Sequence, residues 1–92
     1  MISNKSAKRI EFSPIFRRQL ERASFEIKIT FRETFEVFIE DPYHPSLRNH
    51  ALTEEYAGIR SIDINQDIRV LYREVAERII FIELGTHEEL YG

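Results

Sequence analysis

Arg78-Ile79-Ile80-Phe81-Ile82-Glu83-Leu84 is the most apolar run of the chain. It is short, rich in β-branched and aromatic residues, and apolar on both alternations. A strand that is central in a sheet, or covered on both faces, has that composition. Working backward, Glu74-Val75-Ala76-Glu77 reads as a turn and Asp67–Arg73 as a second strand. Asn65-Gln66 is a polar break. Before it, Ile59–Ile64 follows Gly58 as a third strand, with Arg60, Ile62 and Ile64 on one face. Connections this short join antiparallel neighbours, so the three strands are expected to form a meander.

Further back the period changes from two to about 3.6. Asp41–Ser46 is the longest clear loop, and Leu47–Leu52 after it has room for a short extended piece. From Phe25 to about Glu40, Ile27, Phe31, Phe35, Phe38 and Ile39 follow helical spacing, with Ser24 as cap and Asp41-Pro42 as stop. The many β-branched and aromatic residues lower intrinsic helix propensity, so burial must hold this helix. Ser13-Pro14 starts a shorter helix with the stripe Ile15, Phe16, Leu20 and Ala23. Arg17, Arg18, Glu21 and Arg22 face outward from it. Lys8–Ser13 alternates as a short strand with Ile10 and Phe12 on one face. The order predicts an α+β fold over residues 1–92: an N-terminal strand and a helical hairpin packed on one face of a small, mainly antiparallel sheet.

With 92 residues, 42% hydrophobic and seven Phe, the chain can fill one core, which argues against disorder. It has no cysteine, which excludes a disulfide framework and thiolate chemistry. Met1–Lys5 has no leader-like apolar run, and no later run approaches the ~20 residues that span a bilayer. A cytoplasmic protein with no membrane partner is the expectation. Residues 1–32 hold eight Lys/Arg and three Asp/Glu, a balance of +5, whereas residues 33–92 hold five and thirteen, a balance of −8. The basic section suits a phosphate backbone; the acidic remainder argues against a broad nucleic-acid surface.

After the apolar run comes Gly85-Thr86-His87-Glu88-Glu89-Leu90-Tyr91-Gly92. The glycine ends the run, and a helical turn begun at Thr86 sets His87 and Tyr91 on one side, four residues apart. There is no HExxH, Gly-rich phosphate loop or GxSxG, so zinc protease, nucleotide-phosphate and serine-hydrolase chemistry lack support. No His/Asp pair has a recognisable ligand spacing, so no metal or other cofactor is expected. Metal-free phosphodiester cleavage fits the residue types better. An RNA 2′-hydroxyl attacks its neighbouring phosphate when one group removes its proton and another protonates the departing 5′ oxygen. His50, Asp67 and His87 are acid–base candidates, and Arg48, Arg60 and Arg69 are cation candidates for the phosphoryl oxygens. The plainer alternatives are that Arg60 and Arg69 pair with Asp67 or Glu83 across the sheet, that His87 caps the terminal turn and that Tyr91 packs on the sheet edge. His44, between tyrosine and proline in a loop, reads as structural, and Tyr72 and Phe81 as core.

Four segments in order carry a family resemblance: Leu47-Arg48-Asn49-His50-Ala51-Leu52, Tyr56-Ala57-Gly58-Ile59-Arg60-Ser61, Asp67-Ile68-Arg69-Val70-Leu71-Tyr72 and Gly85–Tyr91. Together they resemble toxins of the RelE/ParE superfamily, most of all its YafQ branch. The resemblance implies a RelE-like fold and a ribosome-dependent endoribonuclease that cuts mRNA in the A site. It also implies a cognate antitoxin, and with it a hetero-oligomer. By resemblance, His50, Asp67 and His87 fall on catalytic positions and Tyr91 on the terminal aromatic. His87 would be the general acid and His50 or Asp67 the base, with Arg60 on the scissile phosphate and Tyr91 placing a base or sugar. Two residues depart from the branch. Asp63 stands where it has a third sheet histidine, and Glu83 where it has an arginine before Gly-Thr-His. Asp63 could substitute as base, and Glu83 could pair with Arg69. The alternative implied is a non-catalytic binding protein of this fold: a gyrase inhibitor, or a toxin that keeps only antitoxin binding.

Overall fold

The computed structural model describes residues 8–91. Met1–Lys5, read for a leader, and Gly92, the end of the terminal stretch, lie outside the described residues. Five strands and three helices follow in the order β1 (Arg9–Phe12), α1 (Pro14–Arg22), α2 (Phe25–Glu40), β2 (His50–Ala51), β3 (Arg60–Asp63), β4 (Ile68–Val75), β5 (Arg78–Thr86) and α3 (His87–Tyr91). Single 3₁₀ turns at Pro45–Leu47 and Glu54–Tyr56 flank β2.

Both expected serine caps form. Ser13 Oγ accepts from the Phe16 N–H at 3.0 Å and donates to the Ile82 carbonyl at 2.7 Å, tying the start of α1 to β5. Ser24 Oγ accepts from the Ile27 N–H at 3.2 Å. The sheet order is β1-β5-β4-β3-β2. The expected meander β3–β4–β5 is antiparallel, and β1 joins it parallel to β5, with Ile10 opposite Ile79 and Phe12 opposite Phe81. The apolar run is therefore an interior strand. Phe81 is fully buried and meets Phe12, Phe16, Phe31, Phe35 and Phe38 edge-on at centroid distances of 5.4–6.1 Å. Edge-to-face contacts of this kind add to the area buried, because ring edges are positive and faces negative.

The structure corrects several boundaries. β4 begins at Ile68, not Asp67, because Asn65 Oδ1 takes the N–H groups of both Asp67 and Ile68 at 2.8 Å and closes a side-chain turn. The following turn is only Ala76-Glu77, with Ala76 at φ 55°. Gly85 does not end β5, which runs on to Thr86. In the helices, Ile15 and Ile39, expected on the apolar stripes, are about half exposed, because Phe16 and Phe38 beside them take the inward positions.

One irregularity sets which side chains reach the other face of the sheet. The β4–β5 register passes from Leu71↔Glu83 to Tyr72↔Phe81, leaving Ile82 as an extra residue. The bulge lets Phe81 and Leu84 both join the core while Glu83 shares a face with Leu71. That face carries His50, Ser61, Asp63, Arg69 and Glu83.

Candidate functional site

An open cleft of about 340 Å³ lies over this face, lined in part by His50 of β2, Ser61 of β3, Arg69 of β4, and His87 and Tyr91 of α3. The segment Leu52–Tyr56 forms its remaining wall. Of the residues named from sequence, the cleft brings together His50, Arg69, His87 and Tyr91. Arg48, Arg60, Asp63, Asp67 and Glu83 are not among the lining residues.

α3 is built on a reciprocal cap. The Glu89 N–H donates to Thr86 Oγ1 at 3.0 Å, and Glu89 Oε1 accepts from the Thr86 N–H at 2.8 Å. The helix folds back tightly over β5: a Cβ on Gly85 would stand 3.0 Å from Glu89 Oε1 and 3.4 Å from the Leu90 side chain. With α3 fixed, the His87 and Tyr91 rings lie 4.6 Å apart on one side, as their spacing predicts. Tyr91 meets the Tyr56 ring edge-on at 5.3 Å, which seats it in the cleft wall.

His50 is held differently. Arg48 takes a left-handed conformation (φ 50°, ψ 44°), and its carbonyl oxygen lies 2.9 Å from His50 Nδ1. A carbonyl only accepts, so Nδ1 carries the proton and Nε2 of the neutral ring keeps its lone pair. Opposite His50 in the ladder stands Ser61. Its hydroxyl is fully buried and, among the described residues, has no hydrogen-bond partner.

The cations are sorted by their partners. Arg69 is the only Lys or Arg among the described lining residues. Its Nε lies 3.3 Å from Asp63 Oδ1, while Arg48 Nε lies 3.1 Å from Asp63 Oδ2. The expected pairing of Arg69 with Asp67 or Glu83 is replaced by this one, because Asp63 and Arg69 are direct cross-strand partners. Among the described residues, Arg60 also makes no ion pair with a carboxylate. Its Nε donates to Asn49 Oδ1 at 2.8 Å, and its guanidinium sits 5.3 Å from the Tyr43 ring centroid. Asn49 is a hub that sequence reading missed, donating at 2.8 Å to both the Pro42 carbonyl and the Tyr72 hydroxyl. Burial pushes the Tyr72 phenol above its ordinary pKa, against the opposing pull of the Asn49 bond.

Asp67 is exposed in the β3–β4 turn, one residue before β4 and its first ladder pair with β5, Ile68↔Thr86. Glu83 is half-buried opposite Leu71 and makes no ion pair among the described residues. His44 accepts from the Ser46 N–H at 3.1 Å, a local cap. Among the described residues, no three His, Asp or Glu side chains gather closely enough to hold a metal ion. No helix among them is long and apolar enough to cross a membrane. Chemically, the cleft offers an imidazole with a free nitrogen, a second imidazole against an aromatic ring, one guanidinium and an unsatisfied hydroxyl.

The family described as bacterial toxin of type II toxin-antitoxin system, YafQ, matches residues 8–92. No curated protein matches the chain in sequence. Among solved structures, the chain is similar to YafQ from Escherichia coli strain BL21(DE3), with 20% identity and a TM-score of 0.80 over 92% of this chain and 99% of that one. It is similar to a chain of the E. coli DinJ-YafQ toxin-antitoxin complex, with 19% identity and a TM-score of 0.77 over 92% and 98%. A chain of the toxin-antitoxin complex RelBE2 from Mycobacterium tuberculosis gives 23% identity and a TM-score of 0.70 over 87% and 98%.

Proposed function

Because the chain belongs to the YafQ family of bacterial type II toxins, we propose that it is a ribosome-dependent endoribonuclease that cleaves mRNA by metal-free acid–base catalysis. The gathering of His50, Arg69, His87 and Tyr91 around one cleft carries this reading. In the reaction, His50 Nε2 accepts the 2′-hydroxyl proton as the 2′ oxygen bonds to the adjacent phosphorus. The P–O5′ bond breaks, and His87 protonates the departing 5′ oxygen. The products are a 2′,3′-cyclic phosphate and a free 5′-hydroxyl. Arg69 stabilises the charge gathering on the phosphoryl oxygens. Tyr91, braced by Tyr56, stacks on a base, which positions RNA without reading its sequence. Arg60, already engaged by Asn49 and Tyr43, serves the scaffold instead. Asp67, exposed in the β3–β4 turn and outside the cleft lining, takes no part in this scheme.

The DinJ-YafQ and RelBE2 complexes support a cognate antitoxin as protein partner, in a toxin-antitoxin hetero-oligomer. The cell compartment that follows from a ribosomal target is the cytoplasm.

The test is cleavage of a defined message on translating ribosomes, with and without the protein. We expect His87→Ala to slow cleavage at least ~100-fold, the usual contribution of a positioned acid, and to relieve growth arrest on expression. An intact message at stoichiometric wild-type protein overturns the reading. Glu54 and Glu55 on the cleft wall favour a second reading, since carboxylates oppose a polyanion. On that reading the chain binds its antitoxin or another protein target, gyrase included, without cutting RNA. Growth arrest that survives His87→Ala, or falling gyrase supercoiling, selects it.

A further inference from the structure

Asp63 is one carboxylate shared between two arginines from different parts of the chain. Oδ1 faces Arg69 Nε at 3.3 Å and Oδ2 faces Arg48 Nε at 3.1 Å, and the Asp63 side chain is only 14% exposed. Both contacts use Nε, so neither guanidinium is consumed. Of the terminal nitrogens of Arg69, Nη1 also donates to the Gln66 carbonyl at 3.2 Å. Arg48 is the residue whose carbonyl fixes His50 Nδ1. The series His50–Arg48–Asp63–Arg69 therefore runs without a break from β2 to β4 along the edge of the cleft.

Each link has a physical reason to matter. β2 has only two residues, both exposed, so its pairing with β3 is a weak hold on His50. Arg48 in the left-handed region costs about 1 kcal/mol or more for a residue with a side chain. An ion pair anchored in a half-buried carboxylate offsets that cost and fixes where the Arg48 carbonyl points. The same carboxylate holds Arg69, otherwise a long side chain with ~2 kcal/mol of rotamer entropy to lose. Each oxygen of Asp63 thus faces the Nε of a different arginine.

We propose that Asp63 is the positioning residue of the site: a single carboxylate that sets the tautomer of His50 through Arg48 and the direction of Arg69 directly. This deepens the nuclease reading for the roles of His50 and Arg69, yet the clamp itself is testable without RNA.

The experiment is nitrogen-15 NMR of the histidine rings in the free protein, with cleavage on translating ribosomes alongside. In the wild type we expect the His50 ring as the Nδ1–H tautomer. Asp63→Asn, close in shape, shifts it toward the Nε2–H form that free imidazoles favour, and Arg48→Gln does the same from an exposed position that the fold tolerates. Arg69→Gln leaves His50 unchanged. In the cleavage assay Asp63→Asn lowers kcat by about tenfold to a hundredfold, as a misplaced group does, with the melting temperature held within a few degrees. A His50 tautomer that is Nε2–H in the wild type, or one unmoved by both Asp63→Asn and Arg48→Gln, overturns the clamp. A wild type that leaves message intact overturns the nuclease reading instead, and the ring spectra still decide the clamp.

Discussion

Ser61 keeps a hydroxyl in a place where, among the described residues, it bonds nothing. A buried hydroxyl without a partner costs about 1–3 kcal/mol, so its retention in the cleft floor suggests a partner that arrives with the substrate. Ser61→Ala should raise stability by about 1 kcal/mol in denaturant unfolding, while lowering kcat/KM about tenfold. A variant equally stable and equally active would remove the substrate role. Tyr72 makes a second prediction, through pH. Its phenol is neutral in the fold, with a pKa raised above the ordinary 10.0 by burial. Below pH ~10 folded and unfolded tyrosine are both protonated. Above it the unfolded form sheds its proton first, so stability falls as pH rises toward the higher folded value. Tyr72→Phe should flatten that alkaline slope in thermal melts at the cost of the Asn49 bond, about 1 kcal/mol. The two serine caps were legible in the sequence because a cap needs only its next three residues. Ser61 and Asn49 were not, because the strand that covers Ser61 lies ten positions on and the partners of Asn49 lie seven and twenty-three positions away.

Among elements, β5 was the most readable, since apolar residues on both alternations leave few other places for a strand. Its end was not. Gly85 looked like a terminator but serves close approach, letting α3 fold back against the strand. Gly85→Ala should therefore act on α3 rather than on the sheet. The new methyl presses the Glu89 carboxylate at 3.0 Å, the group that accepts from the Thr86 N–H. We expect a loss of about 1 kcal/mol, the usual worth of a helix cap, and increased mobility of the His87 and Tyr91 ring signals by NMR, with sheet amide exchange unchanged. Unchanged ring signals would show that the cap absorbs the methyl. The cleft cation was half legible. Three arginines were candidates, and cross-strand register, which composition does not encode, selected Arg69 for the cleft.

For the whole molecule, the α+β order and the meander followed from periodicity, whereas the position of β1 did not. Nothing local to Arg9–Phe12 states that its neighbour is Arg78–Phe81, since that pairing is made by the core the two strands share. The charge asymmetry likewise foretold no single surface, because the acidic half of the chain contributes both Glu54 and Glu55 to the cleft and Asp63 to its arginines. The parallel pairing has a consequence in time. A ribosome makes β1 first and β5 some seventy residues later, at about 5–20 residues per second. During those seconds β1 waits without its neighbour, and the phenylalanines meant to surround Phe81 have no centre. Chains stalled short of residue 78 should be digested readily by protease, and chains with residue 86 clear of the exit tunnel should resist it; early resistance would argue against this order. A toxin built this way would thus be harmless through most of its own synthesis, armed only when its interior strand arrives.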